Sequence, residues 1–385
     1  MSDLDDVIFR SNPYKQKDNV MTEKKPVKSS VVTKQSDPVG EVPKTSNDVN
    51  YMGCGLDVGT GWLVGAKKNS DGSIETTPLR DCFYTISKEL FSKSMFNMGQ
   101  LKYIEYDDMV HIIGDDALTL AKIKNDSALR PLAGGVINPS HRSAAPILRE
   151  MIRSCVQPHK SYDGETCVFS IPAPLVGGSE GFNVEYHSMS LASLIKSLGF
   201  TPVALNEAYA VIIASMDKAK EVTGLGFSFG AGLANIAFVY KGMSLFEFSI
   251  NKSGDFIDQE SAKACGVSES IINHIKEKKL DLTKDEYLVS PEERALIFTH
   301  RHVIKNTIKA LVKAFSSKDV NIIDPVPIIV SGGTTLPKGF MEMFETELKA
   351  TKLPFEYTEV IAVKDRLTSV AKGCLLYANS LEENK

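Results

Sequence analysis

Short apolar or alternating runs, and stretches with apolar residues at helical spacing, follow one another along most of this chain. Residues 52–67 and 73–78 read as strands joined through Asp71 and Gly72, a dipeptide whose backbone preferences suit a tight hairpin. A strand over 109–114 and a helix over 116–123 fall in and just beyond a mixed region, 81–115, that reads as a small insertion. A helix over 139–156, a strand over 167–174 ended by prolines, and a helix over 184–200 closed by Gly199 lead into 201–216, which runs from strand into apolar helix.

The second half repeats the theme. Strand, glycine turn and strand span 226–240, and another strand covers 244–250. Helices follow over 256–279 and 291–316, then a strand over 327–330, a turn at Gly332 and Gly333, and a helix over 338–349. The halves share an order of elements without sharing letters. Hairpins alternating with helices predict mixed sheets covered by helices, hence the α/β class, in two lobes with a ligand cleft between them. The expected division gives residues 49–200 plus 366–385 to the first lobe, with a small inserted subdomain at about 79–125, and 201–365 to the second.

Residues 1–48 break the pattern. Charges alternate in sign, prolines stand at Pro13, Pro26, Pro38 and Pro43, and apolar residues keep no period, so a disordered tail is expected. Its one apolar cluster, DDVIFRSNPY at 5–14, reads either as a docking peptide for a protein partner or as solvated tail.

Composition narrows the function. A chain of 385 residues, 43% hydrophobic and 24% charged, is long enough for two domains with real cores. No apolar run approaches the ~20 residues that cross a bilayer, and no basic-then-apolar leader opens the chain, so a cytoplasmic location without a transmembrane segment is expected. Six single cysteines without C-x-x-C spacing indicate reduced thiols, neither a zinc site nor a disulfide framework. A net charge of −4 argues against a nucleic-acid partner. The basic cluster Lys276, Lys278 and Lys279 reads as a solvated helix end, His141 and His187 as ordinary polar groups, and Trp62 as a core residue.

Candidate chemistry lies in the glycine turns. In DVGTG, Gly59 and Gly61 can take backbone angles closed to other residues and so bring amide donors close to a phosphate. Thr60 adds a hydroxyl, and Asp57, at the strand end, is placed to hold a water or magnesium beside that phosphate.

Four segments in order carry a family resemblance: GLDVGTGWLVGA, LNEAYAVIIAS, GFSFGAGLANIAFV and IIVSGGTTLPKGF. They resemble the first phosphate loop, first inter-lobe helix, second phosphate loop and adenosine loop of the actin, sugar-kinase and heat-shock-chaperone ATPase superfamily. RPLAGGVINPSHRSAAPILREMI and SGDFIDQESAK are similar to stretches of bacterial actin-like MreB proteins and, for the second, of DnaK-type chaperones too. The resemblance covers residues 52–380.

It implies a two-lobed actin-like ATPase fold of duplicated ribonuclease-H-like domains, binding ATP or ADP with Mg2+ in the cleft. Asp57 would order the magnesium shell, and Glu207 would position the attacking water. Gly59, Thr60 and Gly61 would cradle phosphate, as would Gly230, Ala231 and Gly232 from the other side. Gly332, Gly333 and Thr334 would face the adenosine, with Asn273 and Lys276 bracketing adenine and ribose. Such a site needs little covalent chemistry from the protein, only a held water, a metal and donors aimed at developing charge.

One loop departs from the pattern. The family's second phosphate loop usually reads D-[IL]-G-G-G-T-x-D; residues 228–235 keep Gly230 and Gly232 but have Ser228, Leu233, Ala234 and Asn235, losing both acids and the threonine. Ala208 also replaces the proline common after the glutamate, which alters a helix start little. Removing a well-placed polar group commonly lowers a rate ~10²-fold, so nucleotide binding with slow hydrolysis is expected. Three functions compete: a self-associating, filament-forming ATPase; a monomeric chaperone-like or scaffold protein switched by nucleotide; and a small-molecule kinase.

Overall fold

The computed structural model describes residues 53–88, 101–138, 140–141, 143–157, 164–178, 182–216, 222–318 and 324–383. The expected tail, with its 5–14 cluster, lies outside the described residues.

The chain opens with an antiparallel meander of β1 (Cys54–Val58), β2 (Trp62–Lys68) and β3 (Ile74–Arg80). Between β3 and the rest of the lobe sits a separate small sheet of β4 (Phe83–Ser87), β5 (Tyr103–Tyr106) and β6 (Met109–Ile113), backed by α1 (Asp115–Ile123). The short hairpin of β7 (Leu132–Ala133) and β8 (Val136–Ile137) then leads through α2 (Ala144–Cys155), β9 (Thr166–Ile171), α3 (Val184–Lys196) and β10 (Thr201–Asn206) into α4 (Glu207–Ala214).

The second half begins with the meander β11 (Gly224–Phe229), β12 (Ala234–Tyr240) and β13 (Met243–Ile250). Three helices follow, α5 (Gly254–Cys265), α6 (Glu269–Lys278) and α7 (Pro291–Lys318). The chain ends through β14 (Val326–Ser331), α8 (Phe340–Lys349), β15 (Tyr357–Ala362) and α9 (Ser369–Glu382).

The two large sheets have one topology. The first runs β10-β9-β1-β2-β3 and the second β15-β14-β11-β12-β13, each an antiparallel meander extended by two parallel strands beside its first strand. Because β10 pairs along its whole length with β9, residues 201–206 lie on the first sheet, although the expected division opens the second lobe at 201.

Alternation along the central strands explains how the halves join. In β11, Leu225, Phe227 and Phe229 point into one apolar core, where Phe227 and Phe229 meet Phe344 of α8 at ring distances of 5.3 and 6.2 Å. The other face carries Gly224, Gly226 and Ser228; a Cβ on Gly226 would lie 2.4 Å from the Ala208 carbonyl oxygen of α4. In β1 the pattern recurs: Cys54, Leu56 and Val58 face the core, while a Cβ on Gly55 would lie 2.1 Å from the Ala371 carbonyl oxygen of α9. Glycine is required at both places because a helix backbone rests directly on the strand.

The helices that rest there are exchanged. α4 leaves the first sheet and packs on the second, while α9 leaves the second and packs on β1 and β9 of the first. Among the described residues no helix is long and apolar enough to cross a membrane.

Candidate functional site

The cleft floor is built from three element ends: the end of β1 with Asp57, the end of β11 with Ser228, and the start of α4 with Glu207. Asp57 Oδ1 accepts a 2.8 Å hydrogen bond from the Ser170 hydroxyl, whose oxygen in turn accepts the Val58 N–H at 2.9 Å. Burial pushes the Asp57 carboxyl up to about 6, opposed by Ser170.

Glu207 opens its helix. Asn206 serves as the cap, its Oδ1 accepting the N–H groups of Ala208 and Tyr209 at 2.9 and 3.1 Å, which leaves the glutamate to face the cleft. Glu207 Oε2 accepts a 2.9 Å hydrogen bond from Asn235 Nδ2. The orientation of Asn235 is fixed, because its Oδ1 accepts the Ala173 N–H at 2.9 Å and its amide nitrogen is thereby turned to the glutamate. Burial, and after it the charge of Asp57, push Glu207 up to about 8 against the hydrogen bonds of Ser228 and Asn235.

The walls are the two glycine turns, closed alike: the Gly59 N–H donates to the Trp62 carbonyl at 3.0 Å and the Gly230 N–H to the Leu233 carbonyl at 2.9 Å. Gly59 and Gly61 can adopt backbone angles closed to other residues, yet neither they nor Gly230 and Gly232 take a positive φ. Room is what requires glycine. A Cβ on Gly61 would come within 3.0 Å of Ala231 Cβ, and one on Gly232 within 2.8 Å of Thr60 Oγ1. The two turns therefore touch across the cleft.

Thr60 Oγ1 accepts the Gly135 N–H at 3.0 Å. The Gly230 carbonyl takes three donors, the hydroxyls of Thr334 and Ser253 at 2.7 Å each and the Gly254 N–H at 3.2 Å. Thr334 thus lines the cleft with its hydroxyl turned to the second loop. Beside it, Gly332 has φ of +104° and lies against Phe229, where a Cβ would come 2.3 Å from the carbonyl oxygen.

Asn273 and Lys276 lie on the cleft side of α6, yet both side chains turn to Asp258 Oδ2, at 3.0 and 2.7 Å. Burial raises the Asp258 carboxyl, with Lys276 and Asn273 opposing. Lys276 is therefore a partly buried ion-pair partner, in contrast to the solvated helix end expected of its cluster; Lys278 and Lys279 are exposed at the cleft rim.

Asp57, Gly59, Thr60, Gly61, Glu207, Gly230, Ala231, Gly232, Asn273, Lys276, Gly332, Gly333 and Thr334 all line one cavity of about 760 Å³ between the lobes. That volume is within the range of small-molecule sites. Other groups there were not singled out from sequence. Arg80 reaches from β3 to the Glu277 carboxylate on α6 through two hydrogen bonds, of 3.1 and 3.2 Å, and stacks 4.3 Å above the Trp62 ring. Trp62 is consequently half-buried on the cleft wall rather than a core residue. Arg130 bridges from the first lobe to Asp255 in the first turn of α5. The available signal was a charged residue at an element end; the partners, far away in sequence, left none.

Among the described residues no group of three or more His, Cys, Asp or Glu side chains is arranged to hold a metal. Asp57 and Glu207, which no basic side chain among the described residues neutralises, do suit a hard cation that takes most of its ligands from water and phosphate, as Mg2+ does.

The fold has solved counterparts. MreB 5 of Spiroplasma citri, determined bound to AMPPNP, superposes with a TM-score of 0.60 at 16% identity, over 86% of this chain and 97% of that one. MamK, determined as a double helical filament, gives 0.60 at 16% identity over 86% and 98%. The ethanolamine utilization protein EutJ from Carboxydothermus hydrogenoformans gives 0.52 at 16% identity over 88% and 92%. Likeness at such identity carries the fold alone, which is the two-lobed actin-like fold. No curated protein sequence matches the chain. The Volactin family model, however, matches residues 52–378, and the chain belongs to this actin-like family.

Proposed function

We propose that this protein binds ATP or ADP with Mg2+ in its cleft, hydrolyses ATP slowly, and assembles into filaments in a nucleotide-dependent way. The observation that carries the reading is the pair Asp57 and Glu207, two carboxylates without a basic partner among the described residues, at the floor of a cleft walled by two touching glycine turns. Two acids so placed repel each other unless a cation joins them.

Asp57 would order the metal's water shell, and the turns at 59–61 and 230–232 would face phosphate. Bound Mg2+ would supply the positive charge that lets phosphate oxygens approach these acids. Glu207, held by Asn235, is the group placed to orient a water.

One feature supports slow turnover: Ser228 offers a hydroxyl where a second carboxylate would stand. The likeness to a protein solved as a filament supports assembly.

The test pairs high-speed sedimentation with phosphate release, for wild type and Glu207→Ala, with and without MgATP. Pelleting that depends on MgATP, and phosphate release lost in Glu207→Ala, are expected. A protein that stays monomeric in every nucleotide state overturns assembly, and with tight ATP binding it leaves the scaffold reading in place. Unchanged release in Glu207→Ala removes the assignment of Glu207.

A further inference from the structure

Arg130 stands between two carboxylates that belong to different lobes and are tied to different phosphate turns. On one side its Nη1 donates to both oxygens of Asp255, at 3.0 and 2.9 Å. The Asp255 N–H donates to the Ala231 carbonyl at 2.8 Å, so this acid is fixed to the second turn. On the other side is Asp81, completely buried, whose N–H donates to the Gly61 carbonyl at 3.0 Å and fixes it to the first turn.

Asp81 is incompletely satisfied among the described residues. Its Oδ2 accepts the Leu132 N–H at 3.3 Å, while its Oδ1 is buried and has no hydrogen-bond partner among them. Folded proteins rarely leave such an atom unpaired. Burial pushes the Asp81 carboxyl well above the usual carboxylate range, and the charge of Arg130 pulls the other way. The guanidinium thus acts on Asp81 already, although its hydrogen bonds go to Asp255. Asp255 is partly exposed, at 27%, and a partly exposed pair of this kind is easily exchanged.

We propose that Arg130 is a two-position coupler of the cleft: it holds Asp255 while the lobes are closed, and turns to Asp81 Oδ1 when the lobes part and α5 carries Asp255 away. This rests on the nucleotide reading above and adds to it the regulation of nucleotide exchange. One cation contested by two acids gives the device its sign. Removing the acid of the closed state favours opening; removing the acid of the open state favours closure. A merely structural role gives no such opposition, since neutralising either acid would then loosen the fold in one direction. The Arg80 contact to Glu277 also crosses the cleft but has no alternative buried acceptor among the described residues, so Arg80→Ala serves as a one-directional control.

The experiment follows release of a fluorescent ATP analogue with Mg2+ from the full-length protein, in wild type, Asp255→Asn, Asp81→Asn and the double variant. Asp255→Asn is expected to release about fivefold faster, Asp81→Asn about threefold slower, and the double variant near wild type. Release from folded Asp81→Asn that equals or exceeds the wild-type rate overturns the coupler. A second measurement uses no nucleotide: the distance between spin labels on Cys265 of α5 and on Lys124→Cys in the first lobe. It is expected to lengthen in Asp255→Asn and shorten in Asp81→Asn; shifts in one direction, or none, overturn the coupler. If wild type fails to bind the analogue, the nucleotide reading falls alone, and the label distances still decide the coupler.

Discussion

In the first hairpin β1 reaches the cleft at Asp57, two residues past Gly55, on which α9 rests; in the second, β11 reaches it at Ser228, two residues past Gly226, on which α4 rests. Both turns close with the same backbone hydrogen bond. Across the ladder, Asp57 faces the apolar Val64, whereas Ser228 faces Asn235. The first hairpin therefore puts its polar group on the leading strand, and the second puts its strongest on the returning strand, where it holds Glu207. Packing fixes the backbone of both halves, because a helix lies on each glycine. The side chains at the cleft are free of that constraint and have diverged.

Several experiments would break or sharpen this contrast. Gly55→Ala and Gly226→Ala are both expected to be severe, since each Cβ would meet a helix carbonyl oxygen, at 2.1 and 2.4 Å. A loss of about 3 kcal/mol or more, seen as insoluble protein or a collapsed melting temperature, is expected for both. Tolerance of one alone would show that the halves are not packed alike.

Next in size, Asp57→Ala is expected to lower MgATP-dependent phosphate release ~10²-fold, while Ser228→Ala changes it less than about threefold. Equal losses, measured in one phosphate-release assay, would end the asymmetry. Ser228→Asp, which places an acid at this position, is expected to raise release about tenfold at saturating MgATP, and an unchanged rate would take Ser228 out of the explanation for the slow turnover proposed above.

The smallest effect concerns Glu207, which lies beside Ser228. Its folded-state carboxyl, at about 8, holds its proton more tightly than in the unfolded chain, so the folded state is stabilised at low pH and loses that stabilisation as pH rises toward 8. Glu207→Gln should escape the loss. Relative to wild type without Mg2+ or nucleotide, it is expected to gain about 1 kcal/mol between pH 6 and 7 in urea melts, and a pH-independent difference would show that the glutamate is not strained.

Much of this was legible in the sequence because turns and strand ends leave local marks. Asp57 and the glycines of both turns follow apolar runs directly, and Glu207 follows an Asn cap. The fold class followed from the order of elements. β15 was not singled out, since its YTEVIA is half-exposed throughout and shows no clean alternation. Nor was α9, whose Gly373 and serines are poor helix formers and whose helicity rests on burial against β1 and α4. The side-chain commitments of Asn273, Lys276 and Thr334 were hidden as well. Asp258 and Gly230 meet them only after folding, so spacing places such residues at a site without telling which way they turn.

The exchanged helices also set an order of assembly during synthesis. The first sheet has all its strands once Asn206 is made, but the helix that covers the Gly55 face of β1 arrives roughly 175 residues later. At the usual pace of translation that is on the order of ten to thirty seconds. During that interval the face that later receives Ala371 and Leu375 lacks the helix that covers it in the finished protein, and the nascent first lobe is expected to stay incompletely folded. A chain stopped at residue 366 should bind a hydrophobic dye strongly and fail to melt cooperatively, because in this architecture the last helix finishes the first domain.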